Sequence, residues 1–470
     1  MNALDRVFLA GETRESMMHV GALIPFSPPT EGARDHLLRS LIEELKQTPK
    51  VYAPWNLKLR FPEMLKNPLQ AWVEDTEFDV DYHVRRSALP SPGDERELGI
   101  LVSRLHSHQI DFHRPPWEVH FIEGLEGGRF AIYFKVHHSL VDGYTGMKLM
   151  MRSLSHTADE HDTPMFFSLP PQSSETRQPR DARDEDAPAR PDDGEDSATT
   201  FESLLSSTNA QLGATRDAVR ALMNVLRRSR TNDSALVSPL QAPKSVINRK
   251  ISRNRRFATQ QFQQADLRKI AKSTGGTLND VVLALCSAAL RRLLREQDAL
   301  PEETLTAMIP VNVRPKDDPG GGNAVGAILA SLATDIEDPR ARLRAIIAST
   351  RRAKEQLQGL SKSAIMQYSS MLLSPMMLSQ IPSVVGRVRP AFNVVVSNVP
   401  GAEEPLYFRG WRAEALYPVS IPFHGYGLNI TVNSYAGTLN FGFTGCRDTL
   451  PHMQRLAVYS GEALAELEGA

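Results

Sequence analysis

Runs of apolar residues with strand and helix periodicity define the first elements along the chain. Residues 117–125 and 129–138 are rich in β-branched and aromatic side chains, and a short turn with two glycines separates them. Such a pair predicts a β-hairpin. In residues 144–154 the apolar side chains recur at the spacing of one helix face, which predicts a helix directly after the hairpin.

The second half of the chain repeats this mixture. A helix is predicted over residues 204–230 and a longer one over residues 277–297, where Thr277 followed by Asp280 matches a capping pattern. Further strands are predicted at residues 306–313, 325–334 and 392–399, and in a pair that turns at Ala436 and Gly437. Both halves therefore combine helices with sheet, which predicts two α/β units packed against each other.

A polar segment separates the two halves. Residues 171–200 contain no large aliphatic or aromatic side chain, and they hold nine acidic residues and four arginines. Such a segment has no apolar face to offset the entropy of ordering it, so we predict a mobile crossover linker. The predicted organisation is an N-terminal domain over residues 1–168, a charged linker over 169–200 and a C-terminal domain over 201–470.

Composition argues against several classes of protein. The chain has 470 residues, enough for two or three domains, and 54 basic residues against 55 acidic ones, a net charge of −1. This balance argues against a general nucleic-acid binder. Two cysteines are too few for a disulfide framework, and no segment matches a secretion signal or a membrane span. We therefore expect a cytoplasmic protein, with peripheral contact with a membrane or lipid inclusion left open.

One motif carries candidate chemistry. The sequence lacks a G-x-S-x-G elbow, an H-E-x-x-H metal motif, a Walker loop and paired C-x-x-C motifs. It contains HHSLVDG at residues 137–143, between the second strand of the hairpin and the following helix. Side chains alternate across a strand, so His137 and His138 point in opposite directions and only one can face a given cleft. We expect one imidazole to act and the other to support it.

A neutral imidazole suits proton transfer, because its unperturbed pKa of about 6.5 lets it take a proton from a hydroxyl near neutral pH. Gly143 is expected to let the backbone turn, and Asp142 either orients an imidazole or holds the loop through a cation elsewhere. A metal site formed by His137, His138 and Asp142 is disfavoured, because neighbouring strand residues diverge and no further ligand cluster lies nearby in sequence. We therefore predict no metal.

The motif resembles the H-H-x-x-x-D-G signature of the CoA-dependent acyltransferase superfamily. The surrounding sequence is more specific, because it is similar to bacterial wax ester synthase/acyl-CoA:diacylglycerol acyltransferases through nearly the whole chain. The similar blocks are MHVGAL (18–23), FDVDYHVRR (78–86), PPWEVHFIEGL (115–125), TLNDVVLA (277–284), PVNVRP (310–315) and NVVVSNVPG (393–401). Pro116 departs from the Pro-Leu-Trp that this family commonly has, and we expect the departure to affect local loop shape.

The resemblance implies an α/β fold of two chloramphenicol-acetyltransferase-like domains, each a mixed sheet with flanking helices, with an active-site tunnel between them. It implies an O-acyltransferase that moves a long-chain fatty acyl group from acyl-CoA to a fatty alcohol, or to diacylglycerol in triacylglycerol synthesis. His138 is the implied general base, with His137 supporting it. Asp142 is implied to hold the loop by pairing with an arginine, for which Arg314 is the first candidate. Acyl-CoA is then a co-substrate, and no permanently bound cofactor is expected.

The chemistry of this reaction agrees with these roles. A fatty alcohol is a poor nucleophile, so its attack on a thioester needs a base, and a nucleophilic side chain on the enzyme is not required. Asn279, at the start of the predicted helix, is a donor to the tetrahedral oxyanion, a group that positions the substrate, or a group that caps and packs the helix. Two other functions stay open: an acyl-CoA thioesterase-like hydrolase that uses the same base on water, and a non-catalytic lipid-inclusion binding protein.

Three segments are candidates for binding the substrates or lipid. The Met-rich residues 365–381 either line a tunnel for acyl chains or pack in a core. The helix over 204–230 either packs on the body of the protein or meets anionic lipid. Residues 241–256 hold six cations and no acid, so they either contact the CoA phosphates or form a solvated basic face. The candidate phosphate contacts in this segment are Lys244, Arg253, Arg255 and Arg256.

Overall fold

A computed structural model describes residues 1, 3–29, 37–47, 50–141, 143–170, 242–312, 325–358, 385–387 and 389–469. Three segments discussed in the sequence analysis lie outside the described residues. These are residues 171–200 of the predicted linker, the predicted helix over 204–230 and the Met-rich residues 365–381.

Within the described residues, helices and strands alternate through both halves of the chain. The helices are α1 (Ala3–Gly11), α2 (Leu37–Gln47), α3 (Val80–His83), α4 (Glu95–His106), α5 (Gly143–Met151), α6 (Gln264–Thr274), α7 (Leu278–Glu296), α8 (Pro339–Gln358) and α9 (Arg455–Gly469). The strands are β1 (His19–Ser27), β2 (Leu57–Leu59), β3 (Trp72–Glu74), β4 (Val84–Ala88), β5 (Trp117–Glu123), β6 (Phe130–His137), β7 (Arg255–Gln263), β8 (Thr306–Asn312), β9 (Val325–Ser331), β10 (Val394–Val399), β11 (Tyr407–Phe408), β12 (Trp411–Ala413), β13 (Tyr417–Val419), β14 (Leu428–Tyr435) and β15 (Thr438–Cys446).

The first sheet is mixed and contains the strand that leads into the motif. Its strands lie in the order β11-β12-β1-β6-β5-β4, and β13 also pairs with β1. β6 pairs antiparallel with both β1 and β5, whereas β4 and β5 are parallel. Because β11, β12 and β13 come from residues 407–419, the second half of the chain supplies strands to this sheet. The two halves are therefore joined by main-chain pairing.

The second sheet is also mixed, in the order β7-β15-β14-β10-β8-β9. β10 is parallel to both β8 and β14, and the other pairs are antiparallel. Apolar side chains of α6, α7, α8 and α9 share one buried cluster with one face of this sheet. The predicted α/β class of mixed sheets with flanking helices is confirmed.

Both predicted hairpins are present. β5 and β6 pair antiparallel, and the turn between them has positive φ at Gly127 (76°) and Gly128 (69°), a conformation that favours glycine. β14 and β15 are joined at Ala436 (φ 44°) and Gly437 (φ 80°). Positive φ at both central residues is typical of a tight type I′ turn, which matches the twist of the flanking strands.

The long predicted helix is confirmed as α7, together with its cap. The Thr277 hydroxyl accepts a hydrogen bond from the amide of Asp280 at 3.3 Å, and the Asp280 carboxylate accepts one from the amide of Thr277 at 2.7 Å. This reciprocal pair satisfies two amide groups at the start of the helix. The strands predicted at residues 306–313, 325–334 and 392–399 are β8, β9 and β10. β9 and β10 are shorter than predicted by three and two residues, and β8 extends to Asn312, the last described residue of its segment.

The two faces of the first sheet differ in polarity. Even-numbered side chains of β6, from Phe130 to Val136, are buried with residues of α2 and α5 in an apolar cluster. The odd-numbered Tyr133, Lys135 and His137 are equally buried, but they are polar. The sheet therefore has one apolar core face and one face that must satisfy its polar groups internally.

This polar face forms a connected layer against α4. We define the polar layer as His19, His106, Glu118, His120, Tyr133, Lys135 and His137. The Lys135 ammonium lies 3.3 Å from the Glu118 carboxylate and donates to two main-chain carbonyls near the end of α4. The His106 ring nitrogen Nδ1 lies 2.8 Å from the Tyr133 hydroxyl. Hydrogen bonding and charge pairing thus offset part of the cost of burying these groups, while Nδ1 of His120 and Nε2 of His137 have no hydrogen-bond partner among the described residues.

Helix α4 connects the two sheets. The Ser103 hydroxyl accepts a hydrogen bond from the amide of Phe257 at 2.9 Å, and the Ser107 hydroxyl accepts one from the amide of Arg255 at 2.8 Å. Both amides belong to β7, the edge strand of the second sheet, so α4 covers part of an otherwise open edge.

Apolar side chains also fill part of the space between the sheets. We call this group the interface cluster, and its buried members are Met18, Met308, Ala327, Leu329, Ala391, Phe392, Val395, Phe423 and Tyr426, with Phe8 and Ile421 packed against it. Met18 and Phe8 come from the first residues of the chain, whereas the other members come from its second half. The N-terminal segment therefore packs directly on the second sheet.

Burial holds two histidines in the neutral form. Desolvation, together with the positive charges of Arg255 and Lys135, lowers the pKa of His106 to about 3. Desolvation lowers the pKa of His83 to about 4, and its ring is stacked between Phe78 and Trp117. Both rings are therefore neutral near pH 7.

Acidification between pH 6.5 and 5 should destabilise the protein through these histidines. The unfolded chain binds protons at His83 and His106 below about pH 6.5, while the folded chain does not bind them until the pH nears the lowered values. We expect the unfolding free energy to fall by up to about 1.4 kcal/mol per pH unit for each such histidine. Urea unfolding at pH 7, 6 and 5 measures this slope.

His83→Gln, which cannot bind the proton, should unfold with a shallower pH slope than the wild type. His156→Gln is the matched control, because His156 is exposed. An identical slope for His83→Gln and the wild type would contradict the assignment.

Candidate active site

Strand β6 brings the two histidines of the motif to the end of the first sheet. His137 is its last residue and pairs with His19 of β1, and His138 begins the turn that follows. The amide of His137 donates to the carbonyl of Pro116 and the amide of His138 donates to the carbonyl of Met18, each at 2.9 Å. Neighbouring segments on both sides therefore fix the main chain of the pair.

The ring of His138 lies at the junction of the first sheet, α1 and the interface cluster. It stacks on the ring of Phe8, with 3.9 Å between the centroids and 21° between the planes. Phe8 in turn packs against the interface cluster. His138 is partly exposed, whereas His137 is buried. This difference in access agrees with the predicted division into one acting and one supporting histidine.

The ring of His137 is held by polar contacts. Its Nδ1 accepts a hydrogen bond from the amide of Ser139 at 3.2 Å and lies 2.6 Å from the Ser139 hydroxyl. Its Nε2 lies 3.5 Å from a carboxylate oxygen of Glu12 and has no hydrogen-bond partner among the described residues. Phe112 packs edge-on against the same ring at 5.0 Å between centroids. These contacts leave His137 a single orientation.

Glu12 is a site residue that the sequence did not indicate. Its carboxylate is buried and accepts hydrogen bonds from the amide of Met18 at 2.5 Å and from the side-chain amide of Gln109 at 3.0 Å. The main-chain carbonyl of Met18 in turn accepts a hydrogen bond from the amide of His138. Glu12 therefore contacts the ring of His137 and the peptide segment that fixes His138. Nothing in the sequence around Glu12 could have revealed this, because the contacts depend on how the segment folds over β1.

Two residues of the predicted constellation lie outside the described residues. They are Asp142 and its candidate partner Arg314. Their pairing stays a prediction. Gly143 is the first residue of α5, its φ is not positive, and a Cβ atom there would meet nothing within 4 Å. The described backbone thus gives no steric reason for glycine at this position.

Asn279 lies in the first turn of α7 and is half-buried. The capping box at this helix is formed by Thr277 and Asp280 and does not use the Asn279 side chain. Thr277 and Asp280 therefore cap the helix, and the Asn279 side chain is not part of the cap.

The four candidate phosphate contacts have different environments. Lys244 and Arg253 are exposed, and Lys244 lines an open cavity of about 380 Å³ together with Arg249. Arg256 is half-buried, and its pKa is lowered by desolvation and by the nearby charges of Arg447 and Arg96. Arg255 differs, because it is buried and donates to the carbonyls of Ser252 and Glu15. We therefore assign Arg255 to holding the N-terminal segment on β7 and remove it from the candidate contacts.

Two further properties concern only the part of the chain that the structure describes. No group of three or more His, Cys, Asp or Glu side chains there is arranged to hold a metal ion. None of the described helices is both long enough and apolar enough to cross a membrane.

Comparison with known proteins places the chain among acyltransferases. The sequence model of the wax ester synthase/diacylglycerol acyltransferase catalytic domain matches residues 1–282, and that of the C-terminal domain of the same family matches residues 321–468. A Mycobacterium tuberculosis protein named for diacylglycerol O-acyltransferase activity is 53% identical over 99% of this chain and 96% of its own length. An O-acyltransferase of Acinetobacter baylyi is 39% identical over 100% of this chain and 97% of its own length.

Solved structures agree with the sequence comparison. The wax ester synthase/diacylglycerol acyltransferase from Marinobacter aquaeolei superimposes with a TM-score of 0.76 at 37% identity, over 100% of this chain and 98% of that one. A condensation domain of the calcium-dependent antibiotic synthetase shares the fold, with a TM-score of 0.56 at 17% identity over 99% of this chain and 95% of that one. The chain is thus an O-acyltransferase that belongs to the wax ester synthase/diacylglycerol acyltransferase family.

Proposed function

We propose that this enzyme transfers a long-chain fatty acyl group from acyl-CoA directly to the hydroxyl of a fatty alcohol or of diacylglycerol, with His138 as the general base. The observation that carries the proposal is the position of His138, a partly exposed imidazole fixed at the end of β6 beside the interface cluster. The family supplies the reaction type, and the local geometry supports the roles proposed for the residues.

The surroundings of His138 support its role as the base. Its main chain is fixed by Met18 and its ring by Phe8, so the imidazole is held in place before substrate arrives. A base that is already oriented avoids the cost of ordering it in the transition state. His137, buried and oriented by Ser139 and Glu12, supports the end of the strand.

Direct transfer also agrees with the side chains that could otherwise act as nucleophiles. Ser139, the hydroxyl residue within the motif, is buried, so its oxygen is closed to solvent. Both cysteines are buried. Burial raises the pKa of the Cys286 thiol to about 12, so this thiol stays protonated. For the Cys446 thiol, burial opposes ionisation but hydrogen bonds with Thr449 and Ser252 lower the pKa overall, and the thiol is fully buried at the end of β15. A covalent acyl-enzyme is therefore not part of the proposed mechanism.

The proposed reaction has two steps that share one proton. His138 removes the proton of the acceptor hydroxyl as its oxygen attacks the thioester carbonyl carbon, which forms a tetrahedral oxyanion and an imidazolium. Collapse of the oxyanion breaks the carbon–sulfur bond, and the departing CoA thiolate takes the proton from the imidazolium. A hydrogen-bond donor must stabilise the oxyanion, and we propose Asn279 for this role because the capping box leaves its amide uncommitted to the helix end.

The interface cluster supports a long apolar substrate. It brings apolar side chains from both halves of the chain to the ring that stacks on His138. Burial of an acyl chain contributes about 0.8 kcal/mol per methylene, so a long chain can supply much of the binding free energy. One methylene more or less changes discrimination by only about 1–3 kcal/mol, so we expect several chain lengths to be used.

Positive charge around Arg256 supports binding of the CoA phosphates. Arg96 and Arg447 lie close enough to lower its pKa by repulsion, in addition to desolvation. A phosphate would relieve this repulsion through charge-assisted hydrogen bonds. We propose Arg256, with Arg253 and Lys244 on the same basic segment, as the phosphate contacts, with CoA as a co-substrate.

Replacement of His138 tests the proposed base. With palmitoyl-CoA and hexadecanol, His138→Ala should form ester about 10²- to 10⁴-fold more slowly than the wild type, because the hydroxyl loses its proton acceptor. Free thiol and ester should be followed together. His156→Ala, at an exposed histidine, is the matched control and should keep the wild-type rate.

Two results would reject the proposal. Ester formation by His138→Ala at the wild-type rate would show that His138 is not the general base. Release of thiol without ester by the wild type, unchanged by added alcohol, would identify a hydrolase instead.

Replacement of Glu12 tests its proposed positioning role. Glu12→Gln keeps the size of the side chain but removes the negative charge that accepts the Met18 amide and lies 3.5 Å from Nε2 of His137. We expect kcat to fall about tenfold, with little change in KM for acyl-CoA, because misplacement of the base affects the transition state more than binding.

Glu15→Gln is the matched control, since Glu15 lies on the same segment and its carboxylate interacts electrostatically with Arg255 and His424 rather than with His137. A purely structural role of Glu12 would lower the melting temperature and leave kcat of the folded enzyme unchanged, which would contradict positioning.

A further inference from the structure

The loop between β2 and β3, residues 60–71, carries an unusual concentration of exposed apolar side chains. Among the described residues, the large hydrophobic side chains that are clearly exposed are Met64 (55%), Leu69 (73%), Ile100 (38%) and Val458 (57%). Ile100 and Val458 lie singly on helices, which is common on protein surfaces. Met64 and Leu69 lie five residues apart on one loop, and Leu69 is the most exposed of the four.

The loop is held in shape, so these side chains are presented to solvent by a fixed backbone. The side chain of Gln70 closes the loop: its carbonyl accepts the amide of Phe61 at 3.0 Å, and its amide donates to the carbonyl of Phe61 at 2.8 Å. The amide of Leu69 donates to the side chain of Asn67 at 2.8 Å. Gln70 is buried, whereas Met64 and Leu69 project outward.

The charges around Met64 and Leu69 are arranged for an anionic surface. Arg60 and Lys66 lie on the same loop, and both are exposed. The acidic residue of the loop, Glu63, has its carboxylate 2.9 Å from the ring of His113. Apolar side chains flanked by cations are the combination that inserts into the headgroup region of an anionic lipid layer.

The same loop contacts the segments that hold both histidines of the motif. Arg6 of α1 donates to the carbonyls of Pro68 at 2.8 Å and Gln70 at 3.3 Å, and Phe8, two residues further along α1, stacks on His138. Two residues correspond to about 3 Å along a helix axis. The loop therefore contacts the helix whose Phe8 stacks on His138, although the side chains of Arg6 and Phe8 project from different sides of that helix.

A second connection leads from the loop to His137. Glu63 contacts His113, and the neighbouring Phe112 packs against the ring of His137. A surface docked at Met64 and Leu69 would thus lie next to the site through two independent contacts.

We propose that residues 60–71 dock the enzyme on an anionic lipid surface, so that the long-chain acceptor reaches His138 from that surface. The proposal rests on the proposed function, because a long-chain alcohol or diacylglycerol resides in lipid rather than in water. Met64 and Leu69 insert between the headgroups, and Arg60 and Lys66 contact the anionic phosphates.

Vesicle binding by the full chain tests the docking surface. The double variant Met64→Glu/Leu69→Glu should partition at least about tenfold more weakly than the wild type onto vesicles of phosphatidylglycerol and phosphatidylcholine, because two inserting side chains become anionic. Val458→Glu, which makes the same change at a comparably exposed residue elsewhere, is the matched control and should bind as the wild type does. Wild-type binding should weaken on vesicles of phosphatidylcholine alone and in high salt.

Activity separates docking from catalysis. With octanoyl-CoA and hexanol, both in solution, the double variant should keep the wild-type rate, whereas with hexadecanol supplied in the vesicles its rate should fall about as much as its binding. Equal melting temperatures establish that the variant is folded.

Three outcomes would overturn the docking proposal: a wild type that does not bind the vesicles, a double variant that binds as well as Val458→Glu, or self-association of the wild type without lipid that the double variant abolishes. The last would assign the loop to a protein contact. Failure of the proposed function is distinguishable, because it would show as a wild type that binds vesicles but forms no ester from either pair of substrates.

Discussion

The hydrogen bond from the amide of His138 to the carbonyl of Met18 fixes the main chain that carries the imidazole of His138, the proposed base. It follows the β1–β6 ladder, whose register runs from His19–His137 to Phe26–Phe130. A shift of one residue would exchange the two faces of β6 and bury the polar side chains in the apolar core. The large apolar face of β6 therefore fixes the register, and the register fixes the position of the motif.

The opposite face of the same strand has a different task. Lys135, Glu118 and the buried histidines of the polar layer are paired with each other and with α4, and α4 is in turn bonded to the edge of the second sheet. The cost of burying these groups is offset only when the two sheets are correctly docked. This layer thus couples the docking of the sheets to the geometry around His137, while the interface cluster provides apolar surface on the side of His138.

Local patterns were sufficient to predict the hairpins, the capped helix α7 and the motif, because each depends on residues close in sequence. Glu12, Phe8 and the two- and three-residue strands β11 to β13 could not be predicted in this way, since their roles arise from contacts between distant segments. For Arg255 the local pattern was misleading. Its basic neighbours in sequence suggested an exposed side chain, but its position on β7 buries it beneath the N-terminal segment. The motif and the family suggested the proposed base and the proposed acyl group, whereas the groups that contact His137 and His138 required the fold.

In the proposed mechanism, the acyl group passes directly from CoA to the acceptor and is never bonded covalently to the protein. The most direct measurement is the intact mass of the purified enzyme after incubation with acyl-CoA in the absence of an acceptor, with acid quenching during the first turnovers. We expect a mass identical to that of the untreated protein. An increase equal to one acyl group, lost again when alcohol is added, would contradict direct transfer and would require a nucleophilic side chain in place of a general base.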